Sequence, residues 1–158
     1  MNVKGALALA SQRLKSMNKK DYAMIVTAHL DAWLAALGKR HVEGAMAQMA
    51  DNVTFRSPII PVPFEGKEQV SKVLTQLLDT IEAFDLQLLL RNEADFVAIF
   101  TIRFGDHTID GMDRLHLNDA GLIDAITMAW RPLAAVVAVQ QSIAPKLGGK
   151  PMKLMPLE

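Results

Sequence analysis

The chain has 158 residues, 51% of them apolar and 22% charged, which fits one packed domain and excludes a disordered chain. Seventeen Lys and Arg balance seventeen Asp and Glu, so the basic excess of a nucleic-acid-binding surface is missing and no nucleic acid partner is expected. There is no cysteine, which removes disulfides, thiolate metal sites, iron–sulfur clusters and cysteine nucleophiles.

Residues 1–18 read as an N-terminal extension. Their small apolar stretch is cut short by Gln12, Arg13 and Lys15, so it is shorter than a secretory leader needs. The longest apolar run, around Leu133–Val139, is too short to cross a bilayer, and no membrane partner is expected. These features point to a protein of the cytoplasm.

The first clear element is a helix over 22–37, capped by Asn18 or Asp21 and stopped by Gly38-Lys39-Arg40. Its apolar positions Ile25, Ala28, Ala32, Trp33, Ala36 and Leu37 recur at three and four. A short helix over 41–49 follows, then a strand over 53–57 that places Val53, Phe55 and Ser57 on one face. Pro58, Pro61 and Pro63 forbid regular structure as far as Gly66. A third helix runs from Lys67 to about Ala83, with Val70, Val73, Leu74, Leu77, Leu78 and Ile81 as its apolar stripe.

The period then changes from 3.6 to 2. Phe84, Leu86, Leu88 and Leu90 alternate with polar residues, and strands over 96–104, 107–117 and 122–130 follow as a meander. Asn118-Asp119-Ala120-Gly121 closes a hairpin, Leu133–Ile143 reads as a closing helix, and 146–158 as a loose tail. Helices before a run of antiparallel strands predict an α+β domain over 19–145, with helices on one face of a curved sheet enclosing an apolar pocket.

The strand over 107–117 carries the most informative residue. Ile109, Gly111, Asp113, Leu115 and Leu117 share its apolar face, so Asp113 is expected to point inward. A carboxylate held there has a raised pKa or a hydrogen-bond donor beside it, and such acids recur at active sites. Trp130 lies on the face of Ile126 and Met128, and Trp33 on the first helix, each with a flat wall and one N–H donor. His29, four residues before Trp33, shares its helix side and is a candidate proton shuttle. His41, His107 and His116 lack metal-ligand spacing, and no phosphate loop or nucleophile elbow occurs, so neither a metal nor a cofactor is expected.

Several stretches, taken in order, resemble a known superfamily. They are Ala50-Asp51-Asn52-Val53-Thr54-Phe55 with Ser57-Pro58, Phe64-Glu65-Gly66-Lys67-Glu68, Gly111-Met112-Asp113, Asp119-Ala120-Gly121-Leu122-Ile123 and Trp130-Arg131-Pro132-Leu133. Over residues 20–145 the chain resembles NTF2-like proteins, in particular SnoaL-like and ketosteroid isomerase-like bacterial proteins. That resemblance implies a cone-shaped fold around a pocket, and homodimers packed through the outer sheet face. It also implies a site. Asp113 falls on the protonated aspartate of the ketosteroid isomerase oxyanion hole, Trp33 on its tyrosine and Trp130 on a pocket tryptophan. The general base falls on Ser57, which cannot serve alone at neutral pH. The second aspartate of related epoxide hydrolases falls near Met128.

The expected site is therefore Asp113 and His29 as catalytic groups, with Trp33, Ser57, Trp130, Phe55 and Met128 as the binding surface. Three readings stay open: an acid–base isomerase, cyclase or hydratase of a small apolar molecule, a carrier of such a molecule, and an association module with a filled pocket.

Overall fold

The computed structural model describes residues 19–155, with side chains described from Thr27 onward. The extension over 1–18, the Asn18 cap, the Ile25 side chain and the last three residues lie outside the described residues. A 20-residue helix and a short one lead: α1 (Lys19–Gly38) and α2 (Val42–Met46). They are followed by β1 (Met49–Arg56), β2 (Phe64–Glu65), α3 (Gly66–Thr80), β3 (Ala83–Asn92), β4 (Asp95–Phe104), β5 (His107–Leu117), β6 (Ile123–Arg131) and α4 (Leu133–Ile143). The strands form one open sheet in the order β2-β1-β6-β5-β4-β3. Only the β1–β6 pair is parallel, so the sheet is mixed. Among the described residues no helix is long and apolar enough to cross a membrane.

The helices cover one face of the sheet, and one continuous apolar core lies between the two layers. On α3 the expected stripe is the buried one, Val70, Val73, Leu74, Leu77 and Leu78. On α1 the stripe is rotated from expectation: Leu30, Trp33, Ala36 and Leu37 are buried, while Ala28 and Ala32 face solvent. Burying a leucine removes more apolar area from water than burying an alanine, so Leu30 sets the rotation. The expected helix over 41–49 is shorter, because Met49 and Ala50 enter β1 and are buried there. Helix α3 ends at Thr80, and Ile81 turns extended and buried ahead of β3.

Two irregularities redirect side chains. In β3, Leu86 pairs with Phe100 while Leu88 pairs with Ile99, so a bulge at Gln87 shifts the alternation. Phe84 faces the core, whereas Leu88 and Leu90 face outward beside Ile99 and Val97. The expected single apolar face of β3 is thus split between two sides. A second shift, at the β5–β6 hairpin, carries Ile123 into the core instead of onto the outer face with Ala125 and Ala129. The hairpin itself has the expected chemistry: Asn118 Oδ1 accepts the Ala120 and Leu122 N–H groups, and Gly121 takes φ +78°.

The C-terminal segment is tied down as far as Met152. A 3₁₀ turn spans Ala144–Leu147. Gln140, almost fully buried, donates to the Lys150 carbonyl at 2.8 Å and accepts from Met152 N–H at 2.7 Å. Gln141 donates to the Met152 carbonyl at 2.7 Å. Two side-chain amides thus hold the segment at Lys150 and Met152.

Candidate active site

Strand β5 keeps an unbroken alternation, so Asp113 points inward with Ile109 and Leu115 and is 2% exposed. The ladder aligns two inward rows across the sheet. One is Ala98, Asp113 and Met128; the next is Phe100, Gly111 and Trp130. Gly111 has no side chain, and the Phe100 ring occupies the space a Cβ would take. Phe100 also packs on Phe84, ring centroids 4.9 Å apart. From the helical layer, Trp33 of α1 and the leucines of α3 close the other side.

These side chains leave a hollow of about 20 Å³ beside Asp113. That is a water-sized space within the expected apolar pocket; large side chains such as Trp33, Phe100, Met128 and Trp130 fill the rest. Three buried polar atoms on residues lining it have no protein partner: Trp33 Nε1, Trp130 Nε1 and Asp113 Oδ1. Among the described residues these are the only buried side-chain polar atoms left so. Each typically costs about 1–3 kcal/mol, a concentration of unfavourable groups that a purely structural core has no use for.

Burial pushes the Asp113 carboxyl well above its ordinary pKa, because the charged form loses its hydration. The Trp130 indole N–H lies close enough to offset part of this, yet outside ordinary hydrogen-bond geometry. Burial therefore favours the protonated form of Asp113, which can donate as well as accept.

Asp113, Trp33, Trp130 and Met128 converge on the hollow, while His29, Ser57 and Phe55 do not line it. His29 Nδ1 lies 2.8 Å from Gln48 Oε1, and Gln48 also donates to the Gly44 carbonyl at 3.3 Å, so the histidine ties α1 to the α2–β1 connection. Four residues along a helix is one full turn and some 40° of rotation, enough to send His29 and Trp33 to different neighbours. Ser57 Oγ accepts the Ile59 N–H at 3.2 Å within the proline loop. Phe55 is buried against Phe64, ring centroids 6.3 Å apart. Phe84 and Phe100 line the hollow without having been singled out in the sequence; the Gly111 position opposite an aromatic strand was the available signal.

A larger groove of about 500 Å³ lies between α3 and the Ala144–Leu147 turn. Lys72 there pairs with Glu68 at 2.8 Å and Thr75 Oγ1 with the Ser71 carbonyl at 2.8 Å, and no buried unpartnered polar atom lines it among the described residues. Among the described residues no three His, Asp or Glu side chains converge as metal ligands.

Helices roofing an open mixed sheet, with a carboxyl facing the space between them, define an NTF2-like protein. The chain belongs to the SnoaL-like domain family, which matches residues 30–126. Among solved structures it is similar to a steroid delta-isomerase from Pseudomonas aeruginosa, at 25% identity and TM-score 0.72, over 78% of this chain and 91% of that one. It is also similar to a bacterial protein with a cystatin-like fold from Silicibacter pomeroyi DSS-3, at 21% identity and TM-score 0.72, over 76% and 85%. A third is the epoxide hydrolase/cyclase-like enzyme SalBIII, at 13% identity and TM-score 0.60, over 67% and 90%; here the likeness is of fold alone. No curated protein matches the chain.

Proposed function

We propose that the protein binds a small, mostly apolar molecule at the hollow and converts it by acid–base chemistry at Asp113, in an isomerisation, cyclisation or hydration. The observation that carries this reading is a buried carboxyl, its pKa raised by burial, lining one hollow with two tryptophans whose indole N–H groups have no protein partner. Such a set grips one acceptor oxygen of a ligand, and Asp113 can pass it a proton. Similarity to a steroid delta-isomerase at 25% identity supports the same chemical class. Entry of a ligand requires side chains to move aside. Met128, flexible and unbranched, and Phe84, half-buried on the edge strand β3, are the ones free to do so.

A second reading, a carrier that binds without conversion, is favoured by one feature: among the described residues Asp113 is the only titratable one lining the hollow. The two are separated by incubating the protein with a panel of apolar ketones, lactones and epoxides. Thermal shift reports binding and mass spectrometry reports conversion. A converting enzyme loses about 10²–10⁴-fold in turnover with Asp113→Ala, and Asp113→Asn, which keeps a hydrogen bond but cannot transfer a proton, loses as much. Full turnover in either variant overturns the catalytic reading.

The outer sheet face supports a homodimer of the kind the resemblance implies. The register lines up Leu88, Ile99, Met112 and Ala129 across four strands, and Leu88, Leu90 and Met112 are each about half exposed. Apolar side chains gathered on an outer sheet face mark an association surface. Sedimentation should show a dimer whose Kd rises about tenfold or more with Met112→Glu, a charge buried at the interface. A wild-type monomer at high concentration would remove the proposal.

A further inference from the structure

We propose that Arg40 latches the way into the hollow: its guanidinium clasps the turn after α1 to the connection between α3 and β3, and release of that clasp admits solvent and ligand. That a ligand follows the solvent rests on the proposed function; the latch itself does not.

The backbone gives the first observation. Helix α1 ends in a pair of bonds, from the His41 N–H to the Ala36 carbonyl and from the Arg40 N–H to the Leu37 carbonyl, both 2.9 Å. A turn of this kind puts one residue in the left-handed region, and glycine is the usual occupant because it has no Cβ to clash. Here the residue is Arg40, at φ +53°. An arginine in that conformation carries a steric cost that glycine avoids. Strain of this kind gathers at clamps and switches, where the side chain has a use.

The use is a tie between two parts of the chain that both border the hollow. Arg40 Nη1 donates to the Ile81 carbonyl at 3.3 Å. Ile81 lines the hollow, and so does Leu37, three residues before Arg40. Leu77 from the last turn of α3 and Phe84 from the start of β3 line it alongside them. Phe84 is half-buried, whereas Trp33, Leu78, Phe100 and Asp113 are almost fully buried. The hollow therefore approaches the surface beside the clasp. Trp130, on β6, is the other half-buried residue of the lining and marks the competing route.

The two sides of the clasp differ in how they are held. The α3–β3 connection is pinned to the sheet: Glu82 pairs with Arg103 at 2.9 Å, accepts the Gly105 N–H at 3.1 Å, and gives its own N–H to the Arg103 carbonyl at 2.8 Å. The turn after α1 is the side that can move. Arg40 is exposed, so water stands ready to replace the Ile81 carbonyl as its acceptor. A single hydrogen bond exchanged with solvent is a weak enough tie to open and close.

The test is hydrogen exchange of the ligand-free full chain in deuterium oxide, read by NMR at the Trp33 indole. That N–H is buried and has no protein partner, so exclusion of solvent protects it. Arg40→Gly removes the guanidinium and suits the left-handed backbone, so the variant keeps the turn. The expected result is Trp33 exchange about fivefold faster than in wild type, the factor one such bond is worth, with the backbone amides of β5 unchanged. An unchanged Trp33 rate, as when solvent enters past Trp130, overturns the latch. A parallel rise at Trp33 and in β5 overturns it too, because global unfolding then accounts for both. The two readings fail separately. Unaltered Trp33 exchange removes the latch whatever the protein binds, and a latch shown by exchange in a protein that binds no compound of the ketone, lactone and epoxide panel removes the proposed function.

Discussion

Asp113→Asn is expected to stabilise the protein at neutral and alkaline pH and to have little effect at acid pH. The carboxyl titrates from about 3.8 in the unfolded chain and from well above that when folded, because burial penalises its charge. Between those two values the folded state holds a proton that the unfolded state has released. Stability then falls as pH rises, by about 1.4 kcal/mol for each pH unit, until the folded carboxyl itself ionises. Below the unfolded value both states are protonated and the group contributes no slope. Asparagine is nearly the same shape and never ionises, so the variant lacks this slope. Urea unfolding of both proteins from pH 4 to pH 9 measures the difference directly. Parallel pH profiles would show that Asp113 is not held neutral, and the proposed chemistry would fail with it. The same sign applies to turnover: a neutral acid works on the acid side, and kcat/KM falls as pH rises through the folded pKa.

Gly111→Ala is expected to cost about 2–3 kcal/mol and to close the hollow. Alanine in a strand ordinarily gains slightly over glycine through the entropy of the unfolded chain. Here the new Cβ meets the Phe100 ring. That ring is buried between Gly111 and Phe84, and its free direction is the hollow beside Asp113. The ring tips into the hollow, and both stability and ligand binding drop. Phe100→Leu in the same chain shortens the opposing side chain and should recover most of the stability, a coupling that a double-mutant cycle reads out. Additive effects would show that the clash is relieved elsewhere.

How much of this was legible in the sequence varies by element. The strand over 107–117 alternates without a break, so the inward direction of Asp113 followed from period alone. The apolar stripe of α3 was equally plain, because Val70, Val73, Leu74, Leu77 and Leu78 leave one possible buried side. The strand β3 was not legible. Leu86, Leu88 and Leu90 look like one face, and nothing local announces the bulge at Gln87 that turns Leu88 outward. Helix α1 misled for another reason. Its alanines fit an apolar stripe as well as its leucines do, and only packing against the sheet shows which side is worth burying. His29 beside Trp33 suggested a pair, but the histidine's partner, Gln48, is far along the chain.

Local pattern thus determined the α+β class, the residue at the centre of the candidate site and the order of elements except β2, where Phe64–Glu65 pairs with β1 although the prolines were expected to forbid regular structure as far as Gly66. Those depend on periodicity and turn chemistry, which act over a few residues. The tertiary structure alone decided what surrounds that residue: two indole N–H groups from different elements, a phenyl ring lying over Gly111, and a space the size of a water molecule. Those depend on the sum of side-chain volumes brought together by strand register and helix rotation, which no short stretch of chain specifies.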